Sequence, residues 1–360
     1  MKRIILGIYP LSVNGGITSW AKRLLQDFPN EEFSFITIDN SPKERKGSMS
    51  FPKRIYTGLA VLPRIVRELN NTLCTHDISI VHATTSGGLG TLRDYLIGRI
   101  CKKNRVKSIL HCHYGCISED LEKNCFRRLF IETLSLYEQI WVLDRNSFQA
   151  LKKISRIKDK IRLTPNPILV ECKKDMTPKS YHRVAFIGNL IPTKGIFEVV
   201  KACLALDVRL DIVGPGSENV INSIKDIAKD KINNSIYIHG RLPNSEAVKF
   251  MKDIDILCLP TYYPLEAFPI SILEAMSLSK LVISCPKAAI PDMLETQDGD
   301  KAGILVPPKS SADIRNAIKW CQDNPDKADI ICENAYDKAI SAYNQPIVYK
   351  IYRDNYRQLL

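Results

Sequence analysis

The sequence predicts an α/β protein built from two Rossmann-like domains in succession. At 360 residues the chain is longer than a single hydrophobic core usually serves. Short apolar runs alternate with amphipathic helical patterns from one end to the other, the pattern a parallel sheet and its crossovers require. A polar, Pro-bearing stretch over 169–180 interrupts the alternation near the middle and reads as a linker. It separates an N-terminal domain over 1–168 from a C-terminal domain over 181–345.

In the first domain, strands are expected over 3–9, 33–38, 78–84, 108–113, 139–144 and 161–165. Each is a short run rich in Ile, Val, Leu, Phe and Thr with polar or Gly-bearing flanks. Apolar residues recur at helical spacing over 17–28, 59–73, 88–102, 120–136 and 147–154. The second domain repeats the scheme, with strands over 183–189, 209–214, 236–240, 254–259, 281–285 and 304–306. Its connecting helices fall near 195–206, 218–230, 244–252 and 269–279, followed by helical patterns over 310–323 and 325–342. A last helix over 346–360 carries Tyr349, Tyr352 and Tyr356 at helical spacing, a stripe suited to core packing.

Hydrophobic content of 45% and charged content of 25% are those of a soluble globular protein. No window approaches about eighteen uninterrupted apolar residues, so an ordinary membrane-spanning helix is not expected. The start Lys2-Arg3-Ile-Ile-Leu-Gly-Ile resembles a signal peptide, but Pro10 and Asn14-Gly15-Gly16 cut the apolar run short, and a first strand is the better reading. Eleven scattered cysteines follow no disulfide framework and fit free thiols in a reducing cytoplasm. In the local cluster His111-Cys112-His113 with Cys116, strand alternation turns Cys112 away from both histidines, so no metal site is expected there.

The net charge of +12 is carried by one half of the chain. Residues 1–168 hold 27 Lys and Arg against 15 Asp and Glu, whereas 169–360 hold 24 of each. Lys43, Arg45, Lys46, Lys53, Arg54, Arg64 and Arg67 form one basic block, and Arg99, Lys102, Lys103, Arg105 and Lys107 another. Such a surface attracts an anionic partner, either phospholipid headgroups or nucleic acid.

The chemistry is most legible from Leu259 to Ser284. Glu266 lies in a Pro- and aromatic-rich loop after an apolar strand, and Glu274, eight residues on, lies inside an amphipathic helix that opens at Pro269. A helix start attracts phosphate through unpaired amides and the positive end of the dipole. Proline at the first helical position gives up only an amide that was orphaned anyway. One carboxylate on either side of an anion-binding helix end suits a ligand that is part phosphate and part polyol, such as a nucleotide-sugar. A second signal is Gly188-Asn189-Leu-Ile-Pro-Thr-Lys194-Gly195, where glycine lets backbone approach a diphosphate and Lys194 supplies a point charge.

With these two motifs the chain resembles the retaining glycosyltransferases of family 4, whose hallmark is Glu, seven residues, Glu in this setting. The resemblance implies the GT-B fold, two Rossmann-like domains facing a cleft, with the terminal helix crossing back to the N-terminal domain. It implies transfer of a sugar from a nucleoside diphosphate donor, UDP favoured over GDP, to an acceptor hydroxyl. By that resemblance Glu274 holds the ribose hydroxyls, Glu266 the sugar hydroxyls, and amides of Ala267, Phe268, Pro269 and Ile270 the sugar and phosphate. Lys194 stabilises the leaving diphosphate, and His113, which precedes the turn at Tyr114-Gly115, lies near the donor sugar, with His111 on the same face as its competitor. Gly15 and Gly16 line the acceptor path. Gly214 and Arg241, in Val213-Gly214-Pro-Gly216 and His239-Gly240-Arg241-Leu242, belong to the nucleotide loops. Asn189 departs from the family, which has Arg there, so one cationic donor is missing.

No cofactor or metal is implied; Asp253-Ile-Asp255 opens a buried strand and Asp298-Gly-Asp300 lies in a late turn. The acceptor implied is a glycan, lipid-linked and used in surface polysaccharide or O-antigen synthesis, at the cytoplasmic face of the cell membrane. Anionic lipid is the expected partner of the basic half. Two other readings are a nucleotide-sugar epimerase of the same fold and a non-catalytic nucleic-acid-binding protein. The second leaves the polyol and phosphate motifs unexplained, and the basic blocks lack interleaved aromatics.

Overall fold

The computed structural model describes residues 2–13, 15–29, 31–41, 58, 60–122, 124–175 and 177–360. Asn14 and the basic residues Lys43, Arg45, Lys46, Lys53 and Arg54 lie outside the described residues. Contacts divide the chain into one unit of Met1–Pro167 with Val348–Leu360 and a second of Ile168–Ile347.

The first unit is built on a six-stranded sheet of order β2-β1-β3-β4-β5-β6, with every pairing parallel. The strands are β1 (Arg3–Tyr9), β2 (Phe33–Asp39), β3 (Ile78–Thr85), β4 (Lys107–Cys112), β5 (Gln139–Val142) and β6 (Ile161–Leu163). Helices α1 (Gly16–Asp27), α2 (Leu62–Thr75), α3 (Gly90–Lys103), α4 (Ile117–Glu122), α5 (Asn124–Ser135) and α6 (Arg145–Lys152) connect them. Strand alternation gives the sheet two unlike faces. Leu6, Ile8, Val81, Ala83, Leu110, Cys112, Ile140 and Val142 form an apolar core on one. The other carries Tyr9, His82, His111 and Trp141, all buried.

The second unit contains a six-stranded parallel sheet of order β12-β11-β10-β7-β8-β9. Its strands are β7 (Arg183–Ile187), β8 (Arg209–Val213), β9 (Ile236–Gly240), β10 (Ile256–Leu259), β11 (Leu281–Ser284) and β12 (Ile304–Leu305). The helices are α7 (Ile196–Leu206), α8 (Glu218–Ala228), α9 (Asn244–Met251), α10 (Ile270–Ser277), α11 (Ile290–Met293), α12 (Ser311–Asp323) and α13 (Pro325–Lys338). From β7 the chain builds outward through β8 and β9, then returns to add β10 on the other side. The strand order therefore reverses between β7 and β10, and open α/β sheets bind ligands beyond the carboxyl ends of strands at such a reversal.

Two differences from the sequence reading have local causes. The strand expected from 254 begins at Ile256, because Asp255 is occupied at the sheet end: its Oδ2 accepts from the amides of His182 and Arg183 at 3.0 and 3.1 Å. The helix expected over 325–342 leaves the α form at Lys338 and finishes as a π turn, Ala339–Tyr343. That turn presents the Tyr343 carbonyl to the Ile168 amide at 2.9 Å, and Gln345 donates back to Ile168 at 2.9 Å.

The last helix, α14 (Gln345–Arg357), lays its tyrosine stripe on the polar face of the first unit's sheet. Tyr349, Tyr352 and Tyr356 are buried. Trp20 on α1 donates to the Tyr352 hydroxyl at 3.1 Å, the His82 ring pairs with the Tyr356 hydroxyl at 2.8 Å, and Gln139 donates to the Asn355 carbonyl at 2.9 Å. Arg357 pairs with Glu32 at 2.7 Å.

Candidate functional site

The loops after β7 and β10 flank the reversal of strand order and are joined by backbone. After Gly188 and the exposed Asn189, a tight turn over Pro192–Lys194 ends at Gly195, whose φ of 82° opens α7. A Cβ on Gly195 would come within 2.6 Å of the Pro260 carbonyl, so glycine is required both by conformation and by the loop against it. The Tyr262 amide donates to Thr193 at 2.9 Å. The loop after β8 joins on the other side: Gly214 has φ of 145°, and a Cβ there would lie 1.8 Å from the Gly188 carbonyl. Any side chain at Gly214 would drive the two loops apart.

This frame brings two of the expected site residues together. Lys194 Nζ lies 2.9 Å from Glu266 Oε2, with only 16% and 11% of the two side chains exposed. The hydroxyl of buried Thr261 donates to the same carboxylate oxygen at 3.1 Å. The Tyr263 ring lies 5.9 Å from the ammonium, within cation–π range. Thr261 and Tyr263 escaped the sequence reading because a Thr and a Tyr in a Pro-rich turn carry no pattern of their own.

The start of α10 corrects two expectations. Pro269 is the cap and not the first helical residue: its ψ is 118°, and Ile270 opens the helix. Proline also has no N–H, so the amides that could face an anion are those of Ala267, Phe268, Ile270 and Ser271. The Ile272 amide already donates to Pro269 at 3.2 Å. The segment is held from behind, where the Ala289 amide donates to the Ala267 carbonyl at 3.1 Å and the Phe268 ring packs edge-on against Tyr343 with centroids 5.4 Å apart. Glu274, within α10, is 4% exposed and accepts from Asn244 Nδ2 at 3.0 Å. Asn244 follows Pro243 at the start of α9, a pattern that reads as a helix start and hides a partner for Glu274. Gly240 ends β9 with its carbonyl accepting from the Gly214 amide at 2.7 Å, and Arg241 beyond it is exposed.

The remaining expected residues belong to the first unit. Gly15 caps α1 in an extended conformation, and a Cβ on Gly15 or Gly16 would meet nothing within 4 Å. No local contact therefore demands glycine at either. His113 follows β4, donates its amide to Thr85 at 2.8 Å, and packs its ring on Trp20 and His111 at 4.5 and 4.1 Å. It is 8% exposed against 0% for His111, so His113 is the histidine that keeps a path to solvent. Burial lowers its pKa to about 3, and the ring is neutral at neutral pH. Its Nε2 has no partner among the described residues.

Among the described residues no three His, Cys, Asp or Glu side chains are arranged to hold a metal ion. The cysteines whose side chains are described are free thiols. No helix among the described residues is long and apolar enough to cross a membrane. Arg99, Lys102, Lys103, Arg105 and Lys107 are exposed where α3 ends and β4 begins.

Three comparisons bear on this geometry. The putative colanic acid biosynthesis glycosyltransferase WcaL of Escherichia coli (strain K12) is 24% identical over 202 residues, 53% of this chain and 47% of WcaL. The chain thus spans about half the length of that relative. Sucrose-phosphate synthase from Thermosynechococcus elongatus superposes with a TM-score of 0.78 at 15% identity, covering 99% of each chain. Anabaena HepE, solved with UDP and glucose, gives 0.73 at 15% identity, covering 99% of this chain and 100% of HepE. These likenesses show the two-domain GT-B fold. The model of the family described as glycosyl transferases group 1 matches residues 172–338. Lys194 and Glu266, joined at the strand reversal, both lie within that match, so the second unit is similar to the group 1 glycosyl transferases where its candidate site is built.

Proposed function

We propose that the chain is a retaining glycosyltransferase that moves a sugar from a nucleoside diphosphate donor, UDP favoured and GDP the alternative, to an acceptor hydroxyl. The observation that carries this reading is the Lys194–Glu266 pair, 2.9 Å apart at the strand reversal beside the start of α10. In this reading the diphosphate meets Lys194 and the first amides of α10, Glu266 takes the sugar hydroxyls, and Glu274, steadied by Asn244, takes the ribose. As the glycosidic bond breaks, negative charge grows on the leaving phosphate. Preorganised donors aimed at that charge are often the largest catalytic contribution. The leaving phosphate itself helps to deprotonate the acceptor on the same face, so configuration is retained without a covalent nucleophile. The reading assigns no step to a metal or cofactor. Asn189 offers no cation where the family has one, which places more of the charge on Lys194 and α10.

The test is a panel of UDP-glucose, UDP-galactose, UDP-N-acetylglucosamine and GDP-mannose in thermal-shift measurements, followed by NMR of the product's anomeric centre. A bound donor raises apparent stability by mass action. Stabilisation by one donor and a retained anomer are expected; an inverted product refutes the mechanism. Incubating that donor without acceptor separates the epimerase reading, which requires an epimer to accumulate.

The acceptor we propose is a lipid-linked glycan of surface polysaccharide synthesis, met at the cytoplasmic face of the cell membrane. Support comes from the exposed basic residues of the first unit and from the colanic acid relative. Each Lys or Arg near an anionic surface contributes about 1 kcal/mol. Co-sedimentation with liposomes should favour phosphatidylserine over phosphatidylcholine vesicles and weaken with salt. Equal partition between the two would remove the membrane from the proposal.

A further inference from the structure

Glu266 is held at one oxygen only. Oε2 accepts from Lys194 Nζ at 2.9 Å and from Thr261 Oγ1 at 3.1 Å, whereas Oε1 receives no hydrogen bond among the described residues. Thr261 is itself fixed. It is fully buried, and its hydroxyl oxygen accepts from the Tyr263 amide at 3.3 Å, closing the turn that begins the loop. A threonine hydroxyl has one proton to donate and lone pairs to accept. Here the proton goes to the carboxylate and a lone pair to the amide. Of the two groups that hold Oε2, one is mobile in its bonding. Lys194 is a point charge on a flexible stem, and on the reading above it must also serve the donor phosphate. Thr261 has no such second duty.

We propose that Thr261 is the positioning residue of Glu266: it keeps Oε2 anchored when Lys194 turns to the diphosphate, so that Oε1 stays aimed at the sugar hydroxyls. This rests on the glycosyltransferase reading and adds to it the division of labour between the two carboxylate oxygens. It predicts an asymmetry. Loss of the Thr261 hydroxyl should harm recognition of the sugar and leave recognition of the nucleotide intact, because Glu274 and the amides of α10 are elsewhere.

The experiment compares Thr261→Val, which removes the hydroxyl at constant shape, with Thr261→Ser, which keeps it. Two measurements are made on the full chain: nucleoside diphosphate release from the best donor of the panel above, and calorimetric affinity for the free nucleoside diphosphate. For Thr261→Val the expected result is a kcat loss of about tenfold or more, the size expected for a hydrogen bond to a charged group. Nucleoside diphosphate affinity should stay within about twofold, and Thr261→Ser should recover most of the rate. A Val variant as fast as wild type overturns the proposal. So does an equal loss of nucleoside diphosphate affinity, or a Ser variant as impaired as Val, since both mean a disturbed loop. Wild-type protein that turns over no nucleotide-sugar overturns the glycosyltransferase reading, and the assignment to Thr261 with it.

Discussion

Replacing Lys194 by Ala is expected to lower turnover of the nucleotide-sugar by about 100-fold or more, the size of effect seen when a preorganised oxyanion donor is lost. The expectation follows from the scarcity of cations at this point. The family's Arg is Asn189 here, exposed and uncharged, so Lys194 is the cation that the loop after β7 brings to Glu266. The change also leaves Glu266, largely buried, with the Thr261 hydroxyl as the remaining donor to its carboxylate among the described residues, and a buried carboxylate short of partners is costly. Two readouts divide these effects. Nucleoside diphosphate release gives the catalytic loss, expected mainly in kcat because the charge on the phosphate develops in the transition state. Thermal unfolding without ligand gives the structural loss. Lys194→Arg keeps the charge but offers a planar fork in place of a point donor, and should recover only part of the rate. Near-normal turnover in the Ala variant would remove Lys194 from the mechanism.

Acid is expected to destabilise the first unit well before carboxylates titrate. His113 has a folded pKa of about 3 against 6.5 for an ordinary histidine, and burial also holds His82 and His111 well below 6.5. All three are neutral in the folded state, whereas the unfolded chain takes up protons below about pH 6.5. Their contribution is therefore fully present above about pH 6.5 and is lost progressively as the pH falls toward 3. At about 1.4 kcal/mol per pKa unit, His113 alone contributes several kcal/mol over that window. The groups that share the face cannot compensate: Tyr9, Tyr352 and Tyr356 have pKa values raised by burial and stay uncharged throughout. Urea unfolding at about pH 7 and pH 5, followed by tryptophan fluorescence, should show a lower midpoint at the acid value. Trp20 and Trp141 lie in the cluster and report on it directly. A midpoint independent of pH would mean that the histidines gain partners on protonation.

How much of this was legible in the sequence differs between the two units. In the second unit the alternation of strands and helices placed Gly188 at a strand end and Lys194 and Glu266 in the loops beyond strand ends, and the topology joins those loops, which follow β7 and β10. A strand end at the reversal of strand order is a position that sequence pattern can reach. The side chains that orient the carboxylates are not. Thr261 and Asn244 act through single hydrogen bonds across folded backbone, and nothing in their neighbours' spacing marks them. Pro269 was read one position too far into the helix, because a proline fits the cap and the first turn equally well by its fixed φ. In the first unit His111 and His113 are neighbours in sequence, whereas His82 joins them only through the register of β3 against β4. Alternation could place a side chain on a face, but could not say that α1 and α14 would bury that face in rings.

The position of α14 has a consequence for how the chain is made. The tyrosines that close the polar face of the first sheet lie in residues assigned to the first unit, yet all of Ile168–Ile347 is synthesised between that sheet and this helix. Domains usually complete themselves on the ribosome in order of appearance. Here the sheet made first must wait with Trp20, His82 and Trp141 uncovered while the second unit emerges and folds, and the unit begun first is finished last.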